Sequence, residues 1–161
     1  DYPGGGPNAV EWGSVTTRSE TPLAERLREI HDAVALLIQN HQPDAVAIEE
    51  LFFATNVKTA IVVAQARGVI VLATAHSGVP FYEYTPLQVK KAVTGRGQAA
   101  KAQVQKMVAA LLGLGEMPRP DHAADALAVA LCHAHTLKTE RILGGAAPGG
   151  RAVRRTFQRR R

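Results

Sequence analysis

The sequence predicts an α/β fold in which helices flank a single sheet, and three observations carry that prediction. Strand-like and helix-like segments alternate along the 161 residues in the order β-α-β-α-β-α-α-α. Ala45-Val46-Ala47-Ile48 is a short unbroken apolar run, the pattern of a central strand covered on both faces. Leu23, Leu27, Ile30, Val34 and Leu37 recur at helical spacing, which gives a helix one apolar stripe to lay on such a sheet. The length suits one domain, placed at residues 1–140, with a Gly-rich linker and an Arg-rich tail at 141–161.

Residues 1–7 are rich in Gly and Pro and read as a loop. Ala9 to Thr17 alternates and carries β-branched residues, so it reads as a strand. Thr21 as N-cap and Pro22 as first helical residue open a helix over 22–40, and Gln42-Pro43-Asp44 ends it. The strand at 45–48 follows. Asn56 is placed to cap a helix at 57–76 that is apolar nearly all round, so that helix is expected in the core or at a subunit interface. Gly78 stops it, and Val79 to Tyr84 is the third strand. Pro86 opens a helix that ends near Thr94-Gly95. The next, Ala99 to Leu112, puts Val104, Met107, Val108 and Leu111 on one face. The last begins at Asp121 or His122 and runs to Thr136. Three strands make a thin sheet for this many helices, which implies that one or two strands precede residue 1. The tail beyond Gly150 has too little apolar content to fold alone.

Composition narrows the setting. An apolar fraction of 46% supports an ordinary core. The single cysteine, Cys132, excludes an internal disulfide and fits a reducing compartment. No uninterrupted apolar stretch of about 18 residues is expected; residues 59–75 come closest, broken by Gln65 and Arg67. The net charge of +5 is carried by the tail, whose six arginines at 151–161 leave residues 1–150 at −1. Within the body, charge is segregated. Glu83 is the only acid between Leu51 and Gly115, against the seven basic residues Lys58, Arg67, Lys90, Lys91, Arg96, Lys101 and Lys106. A stretch so biased suits a polyanion.

Two separated segments carry chemistry. Glu49 and Glu50 stand where the apolar strand ends, and functional groups of open α/β sheets gather at such carboxyl ends. Side chains alternate along a strand, so one glutamate of the pair faces the site and the pattern leaves open which. In Asp121-His122-Ala123-Ala124-Asp125, His122 and Asp125 are three apart and share a helical face. Asp121 reads as an N-cap, though Asp121 or His122 could each serve as a ligand. Asp125 lies among Ala123, Ala124, Ala126, Leu127 and Val129, where a half-buried carboxylate needs a cation, a metal or hydrogen bonds. Near a helix N-terminus the cationic form of His122 is disfavoured, which suits metal binding. If the segments meet, oxygen and nitrogen donors from two elements hold a divalent ion against a phosphodiester. His133 and His135 diverge on a helix, and His31, His41 and His76 read as surface positions without an acidic partner nearby in sequence. The chain has no zinc-type cysteine spacing, P-loop, dinucleotide fingerprint or nucleophile elbow.

Five blocks occur in an order that resembles the RuvC-type Holliday-junction resolvases, bacterial crossover-junction endodeoxyribonucleases with an RNase H-like fold. They are Pro43 to Glu49, Gln65-Ala66-Arg67-Gly68, Gln88-Val89-Lys90, Ala100 to Gln105, and Ala123 to Ala128. The likeness spans residue 13 to about residue 136. It implies a mixed central sheet flanked by helices and a cytoplasmic homodimer that binds four-way junction DNA. It further implies paired symmetric nicks, two Mg²⁺ ions per active site with Mn²⁺ able to substitute, and a branch-migration motor as partner. Carried over, Glu49 matches the family's strand-end glutamate, Asp125 its C-terminal aspartate, and His122 a position that is aspartate or histidine. Phe52 or Phe53 matches an aromatic wedge, and Lys90 and Lys101 match phosphate-holding residues. Arg67, Lys91 and Arg96 join the expected DNA-facing set through the local excess of positive charge. The family's first aspartate lies in an Asp-Pro-Gly context on strand one. Asp1-Tyr2-Pro3-Gly4 mimics that text, but eleven residues between Asp1 and Gly13 are too few for the intervening strand. Asp1 is therefore not assigned, and the strand bearing that aspartate is expected upstream.

The expected reaction is two-metal hydrolysis, with His122 as ligand or water-orienting group and Lys101 neutralising charge on the phosphate. Two other classes stay open at this point: a different RNase H-like nuclease, and a non-catalytic nucleic-acid-binding module.

Overall fold

The computed structural model describes residues 6–50 and 57–144, the side chains of residues 57, 58 and 143 excepted. In order these form α1 (Leu23–His41), β1 (Val46–Glu49), α2 (Val57–His76), β2 (Phe81–Tyr84), α3 (Pro86–Thr94), α4 (Lys101–Leu111) and α5 (Asp121–Leu143). The strands β1 and β2 pair in parallel, Val46 opposite Phe81 through Glu49 opposite Tyr84. Bonds from Val46 N–H to Pro80 C=O and from Glu50 N–H to Tyr84 C=O carry the ladder past both strand ends. A parallel pair needs a long crossover, and α2 supplies it.

The pleat sorts the strand residues between two layers. Tyr84 reaches α5, where its hydroxyl meets His133 Nδ1 at 2.7 Å. Its neighbour Glu83 points the other way and pairs with Arg67 of α2. The core lies on the α5 side, where Tyr84 packs with Val89 and Val93 of α3, Val104 and Val108 of α4, and Ala128, Leu131 and Cys132 of α5. Val108 is fully buried and Leu131 2% exposed, so truncating Leu131 to alanine is expected to cost about 2–5 kcal/mol. The α3 helix starts with a reciprocal cap: Thr85 Oγ1 accepts the Gln88 N–H at 3.2 Å, while Gln88 Oε1 accepts the Thr85 N–H at 2.8 Å. Gly95, at φ 74, closes that helix in the left-handed region.

Several expectations are corrected. Residues 9–17 form no strand, and Val10, Trp12 and Val15 are exposed. Alternating β-branched residues make a strand only against a ladder partner, and among the described residues the sheet has two strands. The segment instead runs beside α1, through Glu11–His41 at 3.0 Å and Arg26 Nε to Thr17 Oγ1 at 2.9 Å. His41 thus has an acidic partner that lies far off in sequence, and His31 has one next to it, Asp32, at 3.1 Å. Pro22 is the N-cap of α1 and Pro120 that of α5, each without a side-chain cap bond, so neither Thr21 nor Asp121 takes that role. The expected cap at Asn56 lies outside the described residues. The α5 helix runs to Leu143, past Thr136, because Leu137 to Leu143 holds no Gly or Pro; Gly144 at φ 61 ends it. On α4, Val104 and Val108 are buried whereas Met107 is 36% exposed.

The α2 helix is not a buried core helix within this chain. It packs on α1 and touches β2, burying Ala73 and Thr74, but Ile61, Val62, Val63 and Leu72 remain exposed. By length and composition alone, Thr59–His76 is long and apolar enough to cross a membrane. The expectation that no segment would be so is corrected, since Gln65 and Arg67 do not lower its hydropathy enough. Its packing on α1 and the Arg67–Glu83 pair place it in a protein layer.

Candidate active site

The carboxyl end of β1 faces the first turns of α5, and this junction gathers the polar groups. Glu49 is the last β1 residue, and its in-register partner Tyr84 points to α5, so Glu49 does too. Glu50 falls on the opposite parity. The choice between the two glutamates, open in the sequence, is therefore made by the register. The environment of Glu49 agrees. Desolvation raises its pKa above the ordinary carboxylate value, the Asp125 charge raises it further, and Lys90 opposes them. Asp125 and Lys90 thus lie within electrostatic reach of Glu49, the three brought together from α5, α3 and β1.

Asp125 sits one turn into α5, flanked by buried Ala124 and Ala128, with its carboxylate 41% exposed at the edge of that packed face. Lys101 Nζ, at the start of α4, lies 3.4 Å from Asp125 and 3.6 Å from Asp121. Asp125 is the main cause of the raised Lys101 pKa, so the ammonium stays charged across the working range. Asp121 is exposed at the first helical position, where the α5 N-terminus favours its negative charge. His122 is exposed beside it. Three residues at about 100° each leave it about 60° from Asp125 around the helix, and its ring stands in solvent.

The remaining predicted residues divide. Lys91 and Arg96 are exposed on α3 and the loop after it. Lys90 borders a cavity of about 330 Å³ lined by Thr85, Pro86, Leu87 and Gly97, which does not include the carboxylates. The carboxylates stand on an open rim, as a substrate as wide as DNA requires. Arg67, expected to face DNA, has internal partners: Glu83, and the Glu49 carbonyl at 2.5 Å. Phe52 and Phe53 lie outside the described residues.

The donor chemistry suits a hard divalent cation. Two like-charged carboxylates held close repel each other unless a cation lies between them. In number the set is short. Among the described residues no three His, Cys, Asp or Glu side chains cluster closely enough to hold a metal ion, so His122 does not complete a trio with Glu49 and Asp125.

Sequence reasoning missed three contacts. These are the Arg67 link to Glu83 and β1, the Lys101 bridge to two aspartates, and the Tyr84–His133 hydrogen bond. A lone acid in a basic stretch signalled the first. The others join residues far apart in sequence and leave no local sign.

Comparison with known proteins agrees with this geometry. The family profile described as "Crossover junction endodeoxyribonuclease RuvC" matches residues 3–133. A protein of that name from Clostridioides difficile is 54% identical over 135 residues, covering 84% of this chain and 80% of that protein. The one from Desulfitobacterium hafniense is 53% identical over 137 residues, covering 85% and 83%. Among solved structures, Thermus thermophilus RuvC superposes with a TM-score of 0.72 at 44% identity, covering 83% of this chain and 78% of that one. The same protein in complex with a Holliday junction substrate gives 0.71 at 42% identity, covering 78% and 76%. The architecture is thus the RNase H-like α/β fold, and the chain belongs to the RuvC family of crossover junction endodeoxyribonucleases.

Proposed function

We propose that this chain resolves four-way DNA junctions by paired, symmetric nicks, with Glu49 and Asp125 as its metal-holding carboxylates. The observation that carries the proposal is the convergence of Glu49 and Asp125 from two elements, with Lys90 and Lys101 beside them. Family membership and the junction-bound relative support the substrate. When bound, Mg²⁺ or Mn²⁺ would activate a water and stabilise the leaving oxygen. Two ions per site is the expectation, and further ligands beyond Glu49 and Asp125 are required for that.

The chain's own groups have separable tasks. Glu49 and Asp125 supply oxygen donors, and their mutual repulsion holds the site ready for a cation. Lys101 pairs with Asp125 and is placed to meet a phosphate oxygen of the substrate. Lys90 lies close enough to moderate Glu49 and reaches the same rim. Lys91 and Arg96 extend the positive surface for the junction arms. His122, exposed at the α5 start, is assigned to the water or to an ion. Phe52 and Phe53 are assigned to the crossover, where stacking on an unpaired base would open it.

The exposed apolar residues Ile61, Val62, Val63 and Leu72 on α2 support a homodimer, since a self-complementary face would space two sites for symmetric cuts; the bacterial relatives support a place in the cytoplasm, where the DNA lies. A branch-migration motor is the expected further partner.

The test is incubation of the chain with a synthetic four-way junction in Mg²⁺, Mn²⁺ or EDTA. Paired nicks at symmetric positions are expected with either metal and none in EDTA. Preferential cutting of an RNA–DNA hybrid, or tight binding with no cutting in either metal, would overturn the proposal.

A further inference from the structure

Residues 95–100 join α3, which carries Lys90, to α4, which starts at Lys101. Contacts within residues 87–99 pin this connection. Thr94 Oγ1 lies 2.8 Å from the Lys90 carbonyl, 2.9 Å from the Arg96 carbonyl and 3.2 Å from the Arg96 nitrogen. A hydroxyl has one proton and two lone pairs, so it accepts the Arg96 N–H and donates to one of the carbonyls. Gly97 sits so close to α3 that a Cβ there would collide with Cδ1 of Leu87. Ala99 is buried in the core, and its N–H reaches the Arg96 carbonyl at 3.3 Å.

Thr94 differs in this from Thr74 and Thr139. Those two bond back to the carbonyl four residues earlier, an ordinary habit inside helices. Thr94 makes the same approach and also reaches forward past the helix end, over Gly95 at φ 74. Arg96 is thereby held at both its N–H and its C=O, while its side chain stands exposed. That side chain pairs with no carboxylate among the described residues. Gly97 lines one cavity with Lys90, the lysine that acts on Glu49, so Arg96 is presented beside the rim.

We propose that Thr94 is a positioning residue that holds the Arg96 backbone in place before DNA arrives, so that the Arg96 guanidinium meets a phosphate of the junction from a fixed base. This rests on the reading of the chain as a junction resolvase. An arginine on a loose loop loses backbone and side-chain freedom together when it binds. With the backbone already held, the side-chain part alone is lost on binding. A free, exposed guanidinium is the form that a phosphate contact needs.

The experiment uses the full chain and the variants Thr94→Val, Thr94→Ser, Arg96→Ala and Lys101→Ala, with Thr94→Val also combined with each of the last two. Affinity for a synthetic four-way junction is titrated against salt without a catalytic metal, and amide exchange is followed at Arg96. Thr94→Val removes the acceptor of the Arg96 N–H, so exchange there should rise. Binding should weaken roughly 3–10-fold, the effect of ordering one residue at the moment of contact. The salt slope should hold, because the phosphate contact is still made. Thr94→Ser keeps the hydroxyl and should bind within about twofold of the unmodified chain. Arg96→Ala should reduce the slope by about 0.9, and adding Thr94→Val to it should weaken binding no further. Added to Lys101→Ala, Thr94→Val should keep its whole effect.

Additive losses for Thr94→Val and Arg96→Ala would mean that Thr94 serves the fold at large, and would overturn the proposal. Unchanged exchange at Arg96 in Thr94→Val, or an unchanged salt slope in Arg96→Ala, would do the same. A Thr94→Val loss that disappears in the Lys101→Ala background would move the effect to α4 and equally end the assignment to Arg96. If the unmodified chain binds the junction without cutting it in Mg²⁺ or Mn²⁺, the resolvase reading fails. The comparison of single and double variants needs no cutting and still decides the role of Thr94.

Discussion

The first turns of α5 and its middle solve opposite electrostatic problems on one helix. Its first turns carry Asp121, His122 and Asp125 at an exposed rim, with Lys101 within 3.6 Å of both aspartates. Two turns on, His133 is 8% exposed and packed against Tyr82, ring centroids 4.4 Å apart. At the rim, opposite charges meet: Lys101 bridges the two aspartates in solvent. In the core, charge is suppressed: burial lowers the His133 pKa, and Nε2 has no hydrogen-bond partner. Polarity along α5 thus separates a working end from a structural middle. The alanines at 123, 124 and 128 let the helix sit close to the sheet between them.

The largest expected effect breaks the working end. Asp125→Asn keeps the shape but removes a negative donor from beside Glu49. Metal-assisted charge stabilisation is worth several kcal/mol, so cutting of a four-way junction should fall more than about 100-fold. Binding should change little, because removing a carboxylate near phosphate takes away no favourable DNA contact. Comparing single-turnover rate with affinity in a gel-shift titration checks this. Equal losses in both would mean that Asp125 serves the fold or the DNA grip instead.

A smaller effect sharpens what Lys101 contributes at the same end. Lys101→Ala should weaken junction binding and reduce the slope of log affinity against log salt by about 0.9, one released counterion. Its ion pairs with Asp121 and Asp125 are exposed, so the melting temperature should hardly move. An unchanged salt slope would remove Lys101 from the phosphate surface.

The two regions also differed in how far the sequence revealed them. The Glu49 and Asp125 pairing was legible because each breaks a local apolar pattern, and a charge in such a place needs a reason. Helices α1, α2 and α3 were legible because periodicity, Pro86 and Gly95 are local signals. What failed depended on partners. The 9–17 segment carries strand chemistry, but among the described residues no strand lies beside it. Thr21 and Asp121 are good capping residues displaced by the prolines next to them. The apolar character of α2 was plain, but a sequence cannot say that Ile61, Val62, Val63 and Leu72 stand uncovered among the described residues. Tyr84 and His133 lie 49 residues apart, and no spacing rule links them.

That buried pair gives the last test, aimed at the structural middle of α5. The folded pKa of His133 is lowered by burial, while the unfolded chain titrates near the ordinary value of about 6.5. Below that pH the unfolded state takes up the proton first. Stability is therefore full above about pH 6.5 and declines as pH falls, until the folded pKa is also passed. The slope from this one group cannot exceed about 1.4 kcal/mol per pH unit. Thermal melts between about pH 7.5 and 5 should show the decline, and His133→Phe should flatten it. The variant loses the hydrogen bond to Tyr84 and starts from lower stability at neutral pH, about 1 kcal/mol down. Its junction cutting at neutral pH should match that of the unmodified chain, since His133 touches none of the rim groups. A variant with the same pH slope would place the titrating group elsewhere. A variant that folds normally yet cuts poorly would join the two regions of α5 that the present geometry keeps apart.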